Sequence, residues 1–319
     1  MKKILKKIFD QPILQTDPPV LIDIGASEEL HSKWNEIAKY SFCIAFDADE
    51  RDFQFVEKEK SKFRKLYIYN SIVTDSKVER TKFYLTKSPY CSSILKPNEE
   101  GLKPHIHSDL FKIEKIIELK AIHIQQALDE LGIKKVDWFK TDSQGTDLRL
   151  FKSFNDQLRE KVIVAEFEPG IIDAYEGEDK LYSVLEYMTK NNFWLSEFIV
   201  KGAPRLSSEL WNSTFRGGYF KKLIKESQIK SPGWGEMTFF NSFENESFNE
   251  REYLLGWVFA TIEKQYSFAY TLATKGVDKF KNKIFDELKD SSLKEMKKQV
   301  YKLKFIPSAI SFIKKSASK

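Results

Sequence analysis

The strongest constraint on the fold is a series of short apolar runs that each stop at a glycine or a polar residue. Val20-Leu21-Ile22-Asp23-Ile24-Gly25-Ala26, then Phe42-Cys43-Ile44-Ala45-Phe46 ahead of Asp47-Ala48-Asp49, then Leu66-Tyr67-Ile68-Tyr69-Asn70-Ser71-Ile72 follow one another closely. Runs of this length, bounded in this way, predict strands buried on both faces. Between the first two, Leu30, Trp34, Ile37 and Ala38 carry helical spacing over 28–40, and a charged helix is expected over 50–60. Strand, helix, strand, helix, strand at this spacing predicts a parallel sheet with crossover helices.

The pattern then changes. Residues 78–95 alternate like a hairpin or edge strand, and Pro89, Pro97, Gly101 and Pro104 break the stretch, so an insertion or lid is expected near 78–112. Alternation returns over 113–122, and 124–131 suits a short helix. Strands are expected at 136–141 and 162–168, with an amphipathic helix over 179–190. Late strands at 193–200 and 237–240 are the usual place for an antiparallel pair closing such a sheet. From about 249 the spacing is helical: Tyr253, Leu254, Trp257, Val258 and Thr261 form one apolar stripe, with a break expected near Gly276. The expected organisation is a basic helix at 1–12, an α/β domain at 13–245 and a helical extension at 246–319.

Charge excludes some functions. The net charge is +5, but residues 277–319 hold twelve Lys against five Asp or Glu, which leaves residues 1–276 at −2. The main body therefore offers no electrostatic reason to bind nucleic acid. The lysine-rich end reads as a solvated helical face; weak attraction of the basic termini to an acidic membrane surface is the minority reading. No run approaches the ~18 apolar residues that span a bilayer. The N-terminus, Met1-Lys2-Lys3-Ile4-Leu5-Lys6-Lys7-Ile8-Phe9, lacks the continuous apolar stretch of a signal peptide. Cys43 and Cys91 lack the spacing of metal ligands or of a disulfide framework, so no metal is expected and a reducing, cytoplasmic setting fits.

Chemistry concentrates at the strand ends. Gly25 allows a close backbone approach, and helix N-terminal amides beyond it favour an anionic group. The dinucleotide pattern G-x-G-x-x-G is absent, and Glu28 and Glu29 stand where a pyrophosphate would lie. That disfavours a nucleotide diphosphate and leaves a ligand with a cationic centre. Asp47 and Asp49 follow the second strand, where a carboxylate can hold ribose hydroxyls; the alternative is that they start the next helix. Together these features match an adenosine-type ligand without phosphates, such as S-adenosylmethionine. In Lys140-Thr141-Asp142-Ser143-Gln144-Gly145-Thr146-Asp147 a buried strand ends in a carboxylate and turns at Gly145 into a helix. Asp142 is either a functional carboxylate at the sheet edge or a cap for that helix.

These motifs, taken in order, resemble the FkbM family of S-adenosylmethionine-dependent methyltransferases over residues 21–195. Asp23-Ile24-Gly25-Ala26 resembles the family's first motif, and Phe46-Asp47-Ala48 stands in place of its Phe-Glu-Pro. Ser92-Ser93-Ile94-Leu95 is similar to its Ser-Ser-Leu stretch, and residues 140–147 resemble its Lys-Ile-Asp-Val-Glu-Gly-Ala-Glu segment. Glu166-Phe167-Glu168, Tyr175 and Asn192-Phe193 have counterparts as well. The family's further glycine after Gly25 is missing, and residues 249–319 lie outside the resemblance.

The resemblance implies a Rossmann-like class I methyltransferase fold with a mostly parallel seven-stranded sheet. It places Asp23, Gly25, Ala26 and Ser27 around the methionine part, Asp47 with Asp49 at the ribose, and Asn70, Ser71 and Ile72 beside the adenine. Asp142 falls where cofactor and acceptor meet. The implied reaction is O-methylation of a sugar, glycan or other small metabolite. Candidates for the base that takes the hydroxyl proton are Asp142, Glu166, Glu168, His105 and His107. The two histidines also read as solvated loop side chains. Trp234, in Pro232-Gly233-Trp234-Gly235, is either a stacking platform for a sugar or a turn residue folded on the core. Trp211 and Arg216-Gly217-Gly218-Tyr219 carry the same alternatives. The helical extension is read as a packing or homo-oligomerisation element. Rival functions are an N-methyltransferase, a methyltransferase of glycans or lipid-linked intermediates at the membrane surface, and a non-catalytic assembly module.

Overall fold

The computed structural model describes residues 2–26, 30–47, 61–215 and 218–303. Ten strands are described in it: β1 Val20–Ile24, β2 Phe42–Phe46, β3 Lys65–Tyr69, β4 Ile72–Thr74, β5 Arg80–Thr86, β6 Ile113–His123, β7 Trp138–Thr141, β8 Val164–Phe167, β9 Phe193–Ala203 and β10 Ser231–Asn241. Seven form one sheet in the order β3-β2-β1-β7-β8-β10-β9, and β4-β6-β5 form a smaller one. All neighbours in the large sheet are parallel except β10, which runs antiparallel to β8 and β9. The chain order reverses between β1 and β7. In an open α/β sheet ligands bind beyond the carboxyl ends of the strands at such a switch point.

The helices are α1 Lys2–Phe9, α2 Pro12–Thr16, α3 Ile124–Glu130, α4 Asp147–Lys152, α5 Leu181–Lys190, α6 Ser208–Thr214, α7 Tyr219–Ser227, α8 Glu250–Ile262, α9 Tyr266–Phe280 and α10 Ile284–Leu303, with single turns between them. One core cluster joins Ile22, Phe139, Ala165, Phe167 and Phe239 of the sheet to Ile124 and Leu128 of α3, Phe151 of α4, and Val184 and Met188 of α5. The Phe151 ring lies 5.5 Å from both Phe139 and Phe167. Each such phenylalanine contributes about 1.5–3 kcal/mol through burial alone. A buried ionic row runs across the strands as well. Asp23 pairs in register with Lys140, and Lys140 with Glu166; the Lys140 ammonium lies 2.8 Å from Asp23 Oδ1.

Backbone contacts divide the chain into two units, Pro19–Glu244 and a discontinuous one of Met1–Pro18 with Asn245–Lys319. The second therefore joins the expected N-terminal helix and C-terminal extension, and it includes α2. Arg251 on α8, 1% exposed, donates to the carbonyls of Asp17 at 2.9 Å and Pro18 at 3.0 Å. Trp257 Nε1 donates to Ser292 Oγ at 2.8 Å and ties α8 to α10. Among the described residues no helix is long and apolar enough to cross a membrane.

Several local expectations change. The helix expected over 28–40 is two 3-10 turns, Ser32–Glu36 and Ala38–Tyr40; closure at i+3 still buries Leu30, Trp34, Ile37 and Ala38. The third strand ends at Tyr69, and after Asn70-Ser71 the chain enters the small sheet, where Ile72 and Val73 are buried. β5 is, as one of the two expectations for 78–95 had it, an edge strand: it pairs with β6 at the rim of the small sheet and bridges to Ser93 through Tyr84. Pro232-Gly233-Trp234-Gly235 lies within β10 at a register shift instead of in a turn. α8 shows no single stripe, since every residue from Arg251 to Thr261 is buried. α9 runs through Gly276 because a side chain there would meet Phe285 Cδ1 at 2.3 Å, and the helix ends at the left-handed Lys281. The helix expected over 50–60 lies outside the described residues.

Candidate functional site

β1 and β7 meet at the switch point through backbone. Asp142 N donates to the Ile24 carbonyl and Gly25 N to the Phe46 carbonyl, both at 3.0 Å. Gly25 has φ +79°, and a Cβ on it would sit 2.4 Å from the Asp142 carbonyl oxygen. The glycine thus makes room for the neighbouring chain, where the sequence pointed to room for a ligand. A cleft of about 140 Å³ opens beside it, lined by Gly25, Asp47, Ser71, Ile72, Tyr90, Ile94 and Asp142. None of the described residues lining it is Lys or Arg.

The turn after β7 is built to hold Asp142. Gln144 and Gly145 take positive φ angles of 57° and 108°, strain of the kind that persists only where surrounding contacts enforce it. Gln144 Nε2 donates to Asp142 Oδ1, and the Tyr175 hydroxyl lies 3.0 Å from Gln144 Oε1. Asp147 anchors the turn from below. Its carboxylate accepts from Thr141 Oγ1 at 3.0 Å, Ser143 N at 2.9 Å and Glu168 N at 2.8 Å, and from the Ser143 hydroxyl. Asp142 is therefore no helix cap: the cap position of α4 is Thr146. The Ser-Ser motif holds the expected lid, because Ser93 Oγ donates to the Gln144 carbonyl at 2.8 Å and accepts from Leu95 N at 3.0 Å.

A second cavity, of about 530 Å³, adjoins the cleft; Tyr90, Asp142 and Gln144 line both. Glu168, His107, Trp234, Tyr175 and Glu178 complete much of its wall. Glu178 is held by Lys180 at 2.6 Å and by Ala174 N at 2.7 Å, and Glu236 by Lys201 at 3.0 Å. Burial pushes the Glu168 carboxyl up to about 9, with Asp142, Asp147 and Glu236 adding repulsion. Burial also raises Asp142, against the pull of Lys140 and Gln144. Asp142, more basic than an ordinary carboxylate, is placed to accept a proton, whereas Glu168 holds its own proton near neutral pH and can only donate.

The expected site residues separate clearly. Asp47, Ser71, Ile72, Gly25 and Asp142 share the cleft. Asp23 instead turns to Lys140 and accepts from His31 N at 3.2 Å. Ala26 is buried, and Asn70 is exposed; neither lines the cleft. Ser27 and Asp49 lie outside the described residues. Glu166 faces another cavity with His31 and Lys33 and accepts from Trp138 Nε1 at 2.6 Å. Burial opposes its ionisation, yet His31, Lys33 and Trp138 hold it down to about 2, which leaves a poor base. Neither histidine is a solvated loop side chain. His105 is buried apart from the cavity. His107 lines it, with burial, His105 and Lys225 lowering its pKa to about 4. Trp234 takes a wall position, whereas Trp211 is buried beside Ile106 and Ala203. The anchoring roles of Asp147, Gln144 and Tyr175 escaped sequence reasoning, although the 140–147 motif contains the first two.

Among the described residues no group of three or more His, Cys, Asp or Glu is placed to hold a metal ion. No protein-family model and no curated protein matches the chain.

Proposed function

We propose that this protein is an S-adenosylmethionine-dependent methyltransferase of the FkbM-like kind, acting on a hydroxyl of a sugar, glycan or small metabolite. The observation that carries the reading is the junction of two compartments at Asp142, Gln144 and Tyr90. Group transfer needs donor and acceptor in line across one short gap. The cleft fits the cofactor's chemistry: Asp47 offers a carboxylate for a ribose diol, Ile72 and Val73 offer apolar surface, and none of the described residues lining it is a cation that would favour phosphates. When bound, S-adenosylmethionine supplies an electrophilic methyl group on a sulfonium centre.

The chain's own residues do the rest. Gln144 orients Asp142 through its amide. Asp142 takes the hydroxyl proton, since burial leaves it more basic than an ordinary carboxylate, while Glu168 keeps its own proton near neutral pH and donates a hydrogen bond into the adjoining cavity. Tyr90 and Trp234 supply aromatic wall for the C–H face of a sugar. The same carboxylates suit an ammonium group, so an amine acceptor is the second reading, distinguished by the atom that carries the new methyl.

Calorimetry with S-adenosylmethionine tests the proposal. Saturable binding is expected, with Asp47→Ala weakening it by about tenfold to a hundredfold, the worth of a charge-assisted pair of hydrogen bonds. A folded protein that binds nothing at millimolar cofactor overturns the enzyme reading in favour of an assembly module.

A further inference from the structure

Among the described residues, the two most exposed large apolar side chains stand on or just after α7. Ile229 is 94% and Phe220 76% exposed, and Leu210 and Leu223 are also exposed. Phe220, Leu223 and Ile224 fall at i, i+3 and i+4 of α7 and so share one face. Only Ile224 is seated, against the Ile106–Ala203–Trp211 cluster. Phe220 and Leu223 overhang it. Lys222 and Lys225 fall on the remaining, polar arc of α7 and Lys230 follows the helix; all three are exposed. Residues 219–230 hold four Lys against a single acid, Glu226. A helix with an uncovered apolar face and lysines on its polar face is the arrangement that lies in a membrane interface, with the rings and aliphatic chains in the acyl boundary and the ammonium groups at anionic headgroups.

We infer that α7 and the following residues to Lys230 dock this protein on an anionic membrane surface. The charge supports a lipid occupant over an apolar protein groove, because four lysines against one acid over residues 219–230 give the segment a positive charge that anionic headgroups attract. The position supports it too. Lys225, Glu226 and Lys230 line the 530 Å³ cavity, so docking brings the mouth of that cavity to the headgroup region. An acceptor carried by a lipid could then enter without leaving the bilayer. This link to the acceptor rests on the proposed function; the docking does not. It is also distinct from attraction through the basic termini, since every exposed apolar residue and lysine of the surface lies between positions 210 and 230.

Co-sedimentation of the full chain with phosphatidylcholine vesicles, with and without phosphatidylglycerol, tests the inference. Binding is expected to the anionic vesicles, weak or none to the neutral ones, and release by high salt. The double variant Phe220→Ser/Ile229→Ser is expected to lower the partition coefficient about a hundredfold, since each side chain loses its burial in the acyl boundary. Both residues are exposed, so its circular dichroism and its affinity for S-adenosylmethionine are expected to match the wild type. Asp47→Ala, which tests the cofactor reading, is expected to bind vesicles normally, so either reading can fail alone. No wild-type binding to anionic vesicles, or undiminished binding by the double variant, overturns the docking surface. So does gel filtration showing a wild-type dimer that the double variant dissolves, which would assign the patch to a second copy of the chain.

Discussion

Asp142 and Glu168 are carboxyls placed where ionisation is costly. Glu168 keeps its proton in the folded protein up to about pH 9, because burial and the neighbouring Asp142, Asp147 and Glu236 disfavour its charge, whereas the ordinary value is 4.5. The folded state therefore binds more protons than the unfolded chain between those limits, and stability falls as pH rises through that window. Glu168→Gln removes the penalty without changing shape. It is expected to raise the thermal midpoint at about pH 8, with the gain vanishing near pH 4; equal midpoints for variant and wild type at both pH values would show that Glu168 is not so disfavoured. Asp142 was legible at this scale, since a carboxylate ending a buried strand is a local pattern. The basicity of Glu168 was not, because it comes from residues on β7, α4 and β10. His107 shows the converse: a loop histidine reads as solvated until the wall behind it is known.

At the scale of elements, the site depends on two segments being fastened to each other. Asp147 joins the ends of β7 and β8 through Thr141, Ser143 and the Glu168 amide. Replacing it with alanine leaves buried donors without acceptors, so Asp147→Ala is expected to cost about 3 kcal/mol in chemical denaturation, with Asp147→Asn costing less. The lid is fastened through Ser93 to the strained Gln144 carbonyl. Ser93→Ala is expected to cost about 1 kcal/mol and to speed hydrogen exchange at the Leu95 amide, which loses its acceptor. The prolines and alternation marked residues 78–112 as a departure from the central sheet and allowed β5 as an edge strand. They did not name β6 as its partner, because pairing across twenty-six intervening residues leaves no local trace.

For the whole molecule, the chain's two ends fold into one unit, and Arg251 is the clearest link between them. It is buried, and its guanidinium reaches the Asp17 and Pro18 carbonyls and, at 3.2 Å, the Asp17 carboxylate. Arg251→Ala is expected to destabilise this unit by about 3 kcal/mol, read as faster amide exchange in α8 than in β1 or β7. Exchange that rises equally in all three elements would mean that the molecule unfolds as one. The sequence by itself determined the α/β class, the number of central strands and the polar residues at their ends, because apolar runs and their punctuation are written within a few residues. Only the tertiary structure decided which of those ends share a cleft. Strand order is set by how crossovers pack, so Asp23 and Asp47 follow from similar sequence patterns yet face an ion pair and a ligand cleft respectively. The same packing turned Glu166 into a spent carboxylate and left Glu168, two residues on, with its proton.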